Sequence, residues 1–436
     1  MWNVLVTFIG LPIFVRMVLS ARNLNCRHIL FLGGVIWLRY FLSAYHEFTF
    51  PPVLSGLSIN ALVSIIVVIA GLFIVPKRFW RMKQLVPVYL FLCCIAVSSV
   101  ISGQYVAFIS VLTKWLYFLV IALLTYFVMM RHGQKQVFSF ILIALSLPMI
   151  LLVCSLIFGV AKETEGDGSV SFIGGYNHEA AFSIVVFTFM NILILLDKNS
   201  IKFQIPLIIF SMFSLVMVNY RTTLLAAIPV FFVFFWARSI TSVEKSQRIL
   251  FLFILFIVMV LVCATLFPMV SERFSDIAIV IENFRELFKS DLYYSDDEQD
   301  LFSARLYIWS QYLTQFFESE SVVWIFGFGP DSWKYNFEKY AHNTFVSYLY
   351  EFGFFGLITF CAILFTLFWK LSTVKFSSVH YRLLASHVGF LVVNLATMPL
   401  WQIEGVIFYG LLSGYSWFYL SKGDFDSKSA VTRSYT

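Results

Sequence analysis

Charged residues are scarce in this 436-residue chain, where Asp, Glu, Lys and Arg together make up 12%. Hydrophobic residues make up 60%, Phe alone occurs 51 times, and the mean hydropathy is +0.86. Because soluble domains carry about 25% charged residues, this composition excludes an ordinary soluble protein and predicts a polytopic membrane protein. The net charge of +6 then bears on membrane topology and does not indicate nucleic acid as a partner.

Cysteine and the common catalytic signatures are also scarce. Five of the six cysteines lie in apolar stretches and Cys26 lies in a basic connection, so neither a disulfide framework nor a paired-cysteine zinc site is predicted. The chain has no Walker loop, GxGxxG, HExxH or GxSxG motif, which leaves ATP hydrolysis and serine hydrolysis without support. We expect no cofactor and no metal. The first apolar segment lacks a basic start and a small-residue cleavage site, so no cleavable signal peptide is predicted.

Long apolar runs dominate what remains. A bilayer core needs about 20 apolar residues per helix. The sequence contains about twelve to thirteen segments of roughly this length, which are predicted to be transmembrane helices. The predicted segments are 2–19, 29–45, 58–75, 85–101, 107–129, 137–160, 178–196, 203–219, 222–237, 249–270, 343–369, 382–400 and 404–420.

Lys and Arg concentrate in alternate connections between these segments, whereas the short connections of the other set hold only Lys162 and Arg221. By the positive-inside rule, the C-terminus is predicted to be cytoplasmic; the side on which the N-terminus lies is left open. The expected organisation is N-terminal transmembrane helices over 1–270, a large periplasmic loop over 271–342, C-terminal transmembrane helices over 343–421 and a cytoplasmic tail over 422–436.

The predicted loop shows helical periodicity in two places. Apolar residues recur at helical spacing from Ile277 to Phe288, which predicts a helix on the membrane surface. Asp291 to Asp300 is typical of a solvated acidic linker. A second stripe from Leu306 to Phe317 begins beside Arg305, with Ser303 as a candidate N-cap. Gly327-Phe328-Gly329-Pro330 predicts a tight turn with close backbone approach.

The loop ends at His342 and Asn343, just before an apolar run resumes. Asn343 suits a helix N-cap, which would place His342 at the positive end of a helix dipole. Such a position favours anionic groups and proton transfer near neutral pH. The alternative is that His342 merely sits at the membrane interface.

These residues, taken in order, resemble the signature of the O-antigen ligase and O-antigen polymerase superfamily of bacterial envelopes. The matching pieces are Gly174 to Ala181 (GGYNHEAA), Tyr220-Arg221-Thr222-Thr223, Arg305 with Trp309, Gly327-Phe328-Gly329, His342-Asn343-Thr344-Phe345 and Glu351 to Leu357 (EFGFFGL). Each piece alone is weak, but their order and spacing over roughly residues 170–360 are fairly specific. The earlier segments match only in being hydrophobic.

The resemblance implies an all-α polytopic fold of the C-type glycosyltransferase kind, a helical extracytoplasmic loop and an undecaprenyl-diphosphate-linked glycan as donor, without a metal. It implies that Arg221 and Arg305 stabilise the leaving diphosphate and that His342 serves as the base. For Arg221 an interfacial anchor is the alternative, and His178 is a competing base. Asn343, Arg39, Asn177, His178 and Glu351 are candidate substrate-binding residues, with Arg39 either contacting phosphate or pairing with Glu47.

A polymerase is favoured, acting on lipid-linked repeat units at the periplasmic face of the bacterial inner membrane. A ligase that transfers glycan to lipid A-core is the first alternative, and a transporter of lipid-linked glycans is the second. Membrane lipids, a chain-length regulator and a flippase are further expected partners, and nucleic acid is not.

Overall fold

The computed structural model describes residues 2–54, 56–163, 170–198, 200–261, 264, 294, 305–373 and 377–433, with side chains up to 422. The predicted surface helix over Ile277 to Phe288, the acidic run from Asp291 to Asp300 and the candidate cap Ser303 lie outside these residues.

A helix occupies each of the thirteen predicted apolar segments within the described residues, which confirms an all-α polytopic membrane protein. The helices of the first two hundred residues are α1 (Trp2–Asn23), α2 (Arg27–Ala44), α3 (His46–Thr49), α4 (Ile59–Ile74), α5 (Val86–Ser102), α6 (Tyr105–His132), α7 (Gln134–Phe158) and α8 (Glu179–Leu195). The later helices are α9 (Gln204–Val218), α10 (Arg221–Ser242), α11 (245–261), α12 (Arg305–Phe317), α13 (Ser321–Phe326), α14 (Trp333–Asn336), α15 (Thr344–Ser372), α16 (Ser378–Ala396) and α17 (Ile403–Arg433).

Two short antiparallel pairs, which the sequence does not predict, cover connections between helices. β1 (Pro52–Leu54) pairs with β2 (Leu57–Ser58), and β3 (Lys162–Glu163) pairs with β4 (Val170–Ser171). Single-turn 3₁₀ helices lie at Phe79–Arg81, Lys83–Leu85 and Pro399–Trp401.

Six helical stretches of the described chain are long and apolar enough, by length and composition, to cross a membrane. They are Trp2–Asn23, Lys83–Ser102, Tyr105–His132, Gln134–Phe158, Arg221–Ser242 and Thr344–Ser372. Three further apolar helices, α4, α8 and α9, have only 16, 17 and 15 residues.

Helices α10 and α16 pack side by side in opposite directions. The rings of Trp236 and Tyr381 meet at 4.7 Å near one end. Further along, Gly389 of α16 packs against Val230 and Ala226 of α10. This register brings the first residue of α10, Arg221, to the level of Thr397, just beyond the end of α16.

The same end of the bundle carries the start of α15. Thr344 at this start donates a hydrogen bond from Oγ1 to the carbonyl of Thr397, at 3.1 Å. The helices of the bundle otherwise alternate in direction, so this end also holds the connections that follow α2, α5, α7 and α9. We call it the His342 end.

Helix α15 breaks at Gly353, whose φ of 67° and ψ of −169° are not helical. The preceding carbonyls are bonded from outside the helix: Phe328 N donates to Tyr350 O at 2.9 Å, and Gly329 N donates to Glu351 O at 2.9 Å. Ser98 Oγ of α5 also donates to Glu351 O, at 3.0 Å. The turn predicted at Gly327 to Pro330 is therefore confirmed, and its partner is a broken membrane helix.

The first prediction concerns this backbone contact. A Cβ on Gly327, which has a φ of +75°, would lie 2.3 Å from the Glu351 carbonyl carbon. Strain and overlap together predict that Gly327→Ala lowers the stability by at least about 2 kcal/mol, measured as thermal unfolding in detergent micelles. Gly34→Ala is the matched control, because a Cβ on Gly34 would meet nothing within 4 Å. Equal unfolding temperatures for the two variants would contradict the close contact.

Candidate functional site

Hydrogen bonds from α12 hold the segment that carries His342. Trp309 Nε1 donates to the carbonyl of Ala341 at 2.7 Å. Arg305, the first residue of the same helix, is buried. The structure thus explains why Arg305, Trp309 and His342 form one motif: the tryptophan joins the arginine-bearing helix to the residue before the histidine.

A second bond fixes the same segment. Tyr312 of α12 donates from its hydroxyl to the carbonyl of Lys339 at 3.1 Å. Burial, helped by the charge of Glu351, raises the pKa of Tyr312 well above its usual value, so the hydroxyl remains a donor at any physiological pH.

His342 itself is half-buried and adopts a left-handed backbone conformation, with φ at 50°. Its ring packs on Tyr340, with centroids 3.9 Å apart. Asn343 follows in an extended conformation and caps α15: its Oδ1 accepts from Phe345 N at 2.9 Å and Val346 N at 3.2 Å. The predicted N-cap is confirmed, and His342 lies one residue outside the helix.

The Asn177-His178 motif lies at the same end. His178 is the N-cap of α8, where its Nδ1 accepts the N–H of Ala180 at 3.1 Å. Ser183, one turn into α8, shares a 2.8 Å hydrogen bond with Thr223 of α10. This bond ties the start of α8 to the start of α10. The exposed Asn177 accepts a hydrogen bond at its carbonyl from Lys162 Nζ, at 2.8 Å.

Arg221 is the first residue of α10 and is half-buried. The preceding helix ends at Val218, and Asn219 adopts a left-handed conformation with φ at 55°. The predicted junction between two short helices is therefore present. Taken together, Arg221, Arg305, His178 and His342 all lie at the His342 end.

Glu351 is buried two residues before the break in α15, at 1% exposure. Its Oε1 accepts from Ser347 Oγ at 2.7 Å, and its Oε2 accepts the backbone N–H of Asp331 at 3.1 Å. Asp331 has a φ of 57° and pairs with Lys334. The Glu351 carboxylate thus anchors the chain that follows the glycine turn.

A cavity of about 800 Å³ opens beside this segment. Of the predicted site residues, Arg39, Asn177 and His178 line it, whereas His342, Asn343, Glu351, Arg221 and Arg305 are not among its lining residues. The connection to His342 is aromatic: the Tyr340 ring, which contacts His342, also lies 5.8 Å from the ring of Trp401 in the cavity wall.

Arg39 pairs with Glu404, the second residue of α17, and not with Glu47. Arg39 Nε lies 2.9 Å from Glu404 Oε1, and Nη2 lies 3.3 Å from Oε2. Ser43 Oγ donates to the same carboxylate at 3.3 Å. A two-point ion pair of this kind satisfies both charges where little water reaches them.

Asp331, Lys334, Trp401 and Glu404 are among the lining residues that sequence reasoning missed. Of these residues, Glu404 is the one that the sequence could best have indicated as a site residue, because it is an acid at the start of an apolar segment. Its partner, 365 positions away, has no local signature. Within the described parts of the chain, no group of three or more His, Cys, Asp and Glu side chains is arranged to hold a metal ion.

The fold and composition define a polytopic helical membrane protein whose polar and charged groups gather at one end. Within it, residues 206–361 match the protein family described as O-antigen ligase. This match supports the resemblance to the O-antigen ligase and polymerase superfamily, and it covers Arg221, Arg305, His342 and Glu351. None of the curated proteins matches the chain.

The second prediction tests the Arg39–Glu404 pair, whose side chains are only 13% and 6% exposed. Glu404→Gln leaves a guanidinium without its counter-charge, so we expect a loss of about 3 kcal/mol. Arg39→Gln combined with Glu404→Gln should cost less than the two single changes added, by about 1 to 3 kcal/mol. Thermal unfolding of the three variants in one detergent measures this coupling. Additive losses would show that the pair does not act as a unit.

Proposed function

We propose that this chain is a membrane glycosyltransferase that takes a glycan from an undecaprenyl-diphosphate carrier and polymerises lipid-linked repeat units into a surface polysaccharide. The match of residues 206–361 to the O-antigen ligase family carries this proposal. The hydrogen bond from Trp309 to Ala341 supports it, since it holds Arg305 and His342 in one local unit.

The chemistry proposed for these residues is a displacement at a sugar carbon. The acceptor hydroxyl oxygen attacks C1 of the donor sugar, the C1–O bond to the diphosphate breaks, and its electron pair leaves with the diphosphate. Arg221 and Arg305 are suited to stabilise this growing negative charge, because guanidinium groups bind phosphate oxygens in pairs. His342 is proposed to take the proton of the acceptor hydroxyl.

The neutral form of His178 fits the role of base less well than His342. Because its Nδ1 accepts the Ala180 N–H, a neutral ring carries its proton on Nε2, and that nitrogen then donates. The capping bond therefore leaves neither ring nitrogen of neutral His178 able to accept a proton from a substrate.

The localisation proposed is the bacterial inner membrane, with the His342 end facing the periplasm. Lys and Arg concentrate in the connections at the opposite end, such as 75–85 and 196–203. Such connections remain on the cytoplasmic side by the positive-inside rule. Undecaprenyl-linked glycan and membrane lipids are the proposed partners, with a chain-length regulator and a flippase acting alongside.

The ligase is the second candidate, and the description of the matching family favours it. Polymerase and ligase share the donor and differ in the acceptor, which is another lipid-linked repeat unit for the first and lipid A-core for the second. Purified protein reconstituted in liposomes with lipid-linked repeat units distinguishes them. A glycan ladder supports the polymerase, and transfer only after lipid A-core is added supports the ligase. Translocation without new glycosidic bonds would reject both.

The third prediction concerns His342. Since general-base assistance is worth about 10² to 10⁴ in rate, His342→Ala should reduce transfer by that factor while the unfolding temperature stays unchanged. The control is His132→Ala in the last turn of α6, at the opposite end of the bundle. Wild-type transfer by His342→Ala, measured as product per minute in the liposome assay, would remove the assignment.

The fourth prediction concerns metals. If guanidinium groups stabilise the leaving diphosphate, millimolar chelator should leave the rate of transfer unchanged within about twofold. Arg221→Lys and Arg305→Lys should each lower it by at least about tenfold, because a lysine cannot form the two-point contact. Loss of transfer in chelator and its return on adding Mg²⁺ or Mn²⁺ would contradict metal independence.

A further inference from the structure

The lining of the 800 Å³ cavity is rich in neutral hydrogen-bonding side chains. They are Ser43, Ser58, Asn60, Ser64, Ser110, Thr113, Asn177 and Gln402. Tyr335 and Trp401 are among the aromatic residues that line the same space, and Tyr335 is 81% exposed. Hydroxyl and amide groups around aromatic faces are the surroundings that a carbohydrate requires, since sugar rings stack on aromatic faces and their hydroxyls exchange hydrogen bonds.

The cavity also contains a cation that no acid neutralises directly. Arg39 is paired with Glu404, and Lys334 is paired with Asp331. Among the described residues, Lys114 has neither a hydrogen bond nor an ion pair; its ammonium group lies 5.9 Å from the centre of the Trp401 ring. Asp331 and Glu351 attract it from a distance, whereas Lys334 and Arg39 repel it.

An ammonium group in this place is costly. Lys114 lies in α6, one of the membrane-crossing helices, where a lysine costs about 2.5 to 3.5 kcal/mol at mid-depth and less near the interface. The contact with Trp401 offsets only part of this, about 0.5 to 2 kcal/mol. A charge retained without a partner in a polar cavity indicates a ligand that supplies the counter-charge.

We propose that this cavity binds a sugar of the substrate glycan that carries a carboxylate, with Lys114 as the contact for the carboxylate and Trp401 and Tyr335 as the stacking faces. The inference rests on the proposed transferase and adds a substrate class to it, namely acidic glycans. Its place is consistent with this role: Trp401 lies against Tyr340, and Tyr340 lies against His342. A sugar in the cavity is therefore next to the proposed reaction centre.

A lipid phosphate is the main competing ligand, and the lining favours the sugar. Phosphate sites usually combine several cations or backbone N–H groups, whereas here the nearby Arg39 is already held by Glu404. One unpaired lysine among eight neutral polar side chains fits a single carboxylate on a hydroxyl-rich ring better than a diphosphate.

Binding is tested on the full chain in detergent with matched soluble probes, by saturation-transfer NMR and titration. The probes are pairs of acidic and neutral oligosaccharides: galacturonate with galactose disaccharides, glucuronate with glucose disaccharides, and sialyl-lactose with lactose. We expect the acidic member of at least one pair to bind at least about tenfold tighter. Lys114→Gln should abolish that preference without weakening the neutral sugar, and Trp401→Leu should weaken both.

Lys135→Gln is the control, because Lys135 is exposed in the first turn of α7, at the opposite end of the bundle. Equal binding of acidic and neutral sugars across all pairs, or an acidic preference that survives in Lys114→Gln, would overturn the proposal. So would Lys114-dependent binding of farnesyl diphosphate or inorganic diphosphate without any acidic-sugar preference, because the ligand would then be a phosphate.

Failure of the proposed transferase gives a different result. If the liposome assay forms no glycosidic bond while Lys114-dependent binding of acidic sugar persists, the transferase is rejected and the acidic-sugar site stands. If transfer occurs and the carrier-linked glycan used contains no acidic sugar, the acidic-sugar site is rejected and the transferase stands.

Discussion

The break in α15 is the constraint on which the His342 end depends. A helix interrupted inside a membrane exposes carbonyl groups that neither lipid nor the helix itself can satisfy, and each such group costs several kcal/mol. Here the turn at Gly327 to Gly329 and the side chain of Ser98 supply the missing donors. The glycine turn therefore satisfies the free carbonyl groups of the broken helix, and the same hydrogen bonds hold the turn in place.

The positions of Glu351, Asp331 and Lys334 depend on this contact between the turn and α15. Because the turn is held against α15, Asp331 comes within reach of Glu351, and the backbone N–H of Asp331 gives that carboxylate a donor. Asp331 in turn holds Lys334 at the edge of the cavity. The buried Glu351 carboxylate thus positions Asp331 and, through it, Lys334 at the cavity, although the Glu351 side chain itself does not line the cavity.

The sequence predicted the local features of this end well and the long-range ones poorly. Apolar runs, the cap at Asn343 and the glycine turn depend on a few neighbouring residues, and the structure confirms all three. The pair of Arg39 with Glu404 and the contact of Lys114 with Trp401 join residues hundreds of positions apart. Hydrophobic periodicity cannot reveal such pairs, because it reports which face of a helix is apolar and not which helix lies opposite.

His178 and His342 both lie at the start of a helix, but they differ by one position relative to the N-cap. His178 occupies the cap position itself, and its Nδ1 is used by the first turn of α8. His342 lies one residue earlier, because Asn343 provides the cap of α15 with its own side chain. The left-handed conformation at His342 turns the chain so that its ring rests on Tyr340, beside the aromatic wall of the cavity. A shift of one position relative to the cap relieves the His342 ring of the capping role, and this supports the part proposed for it in proton transfer.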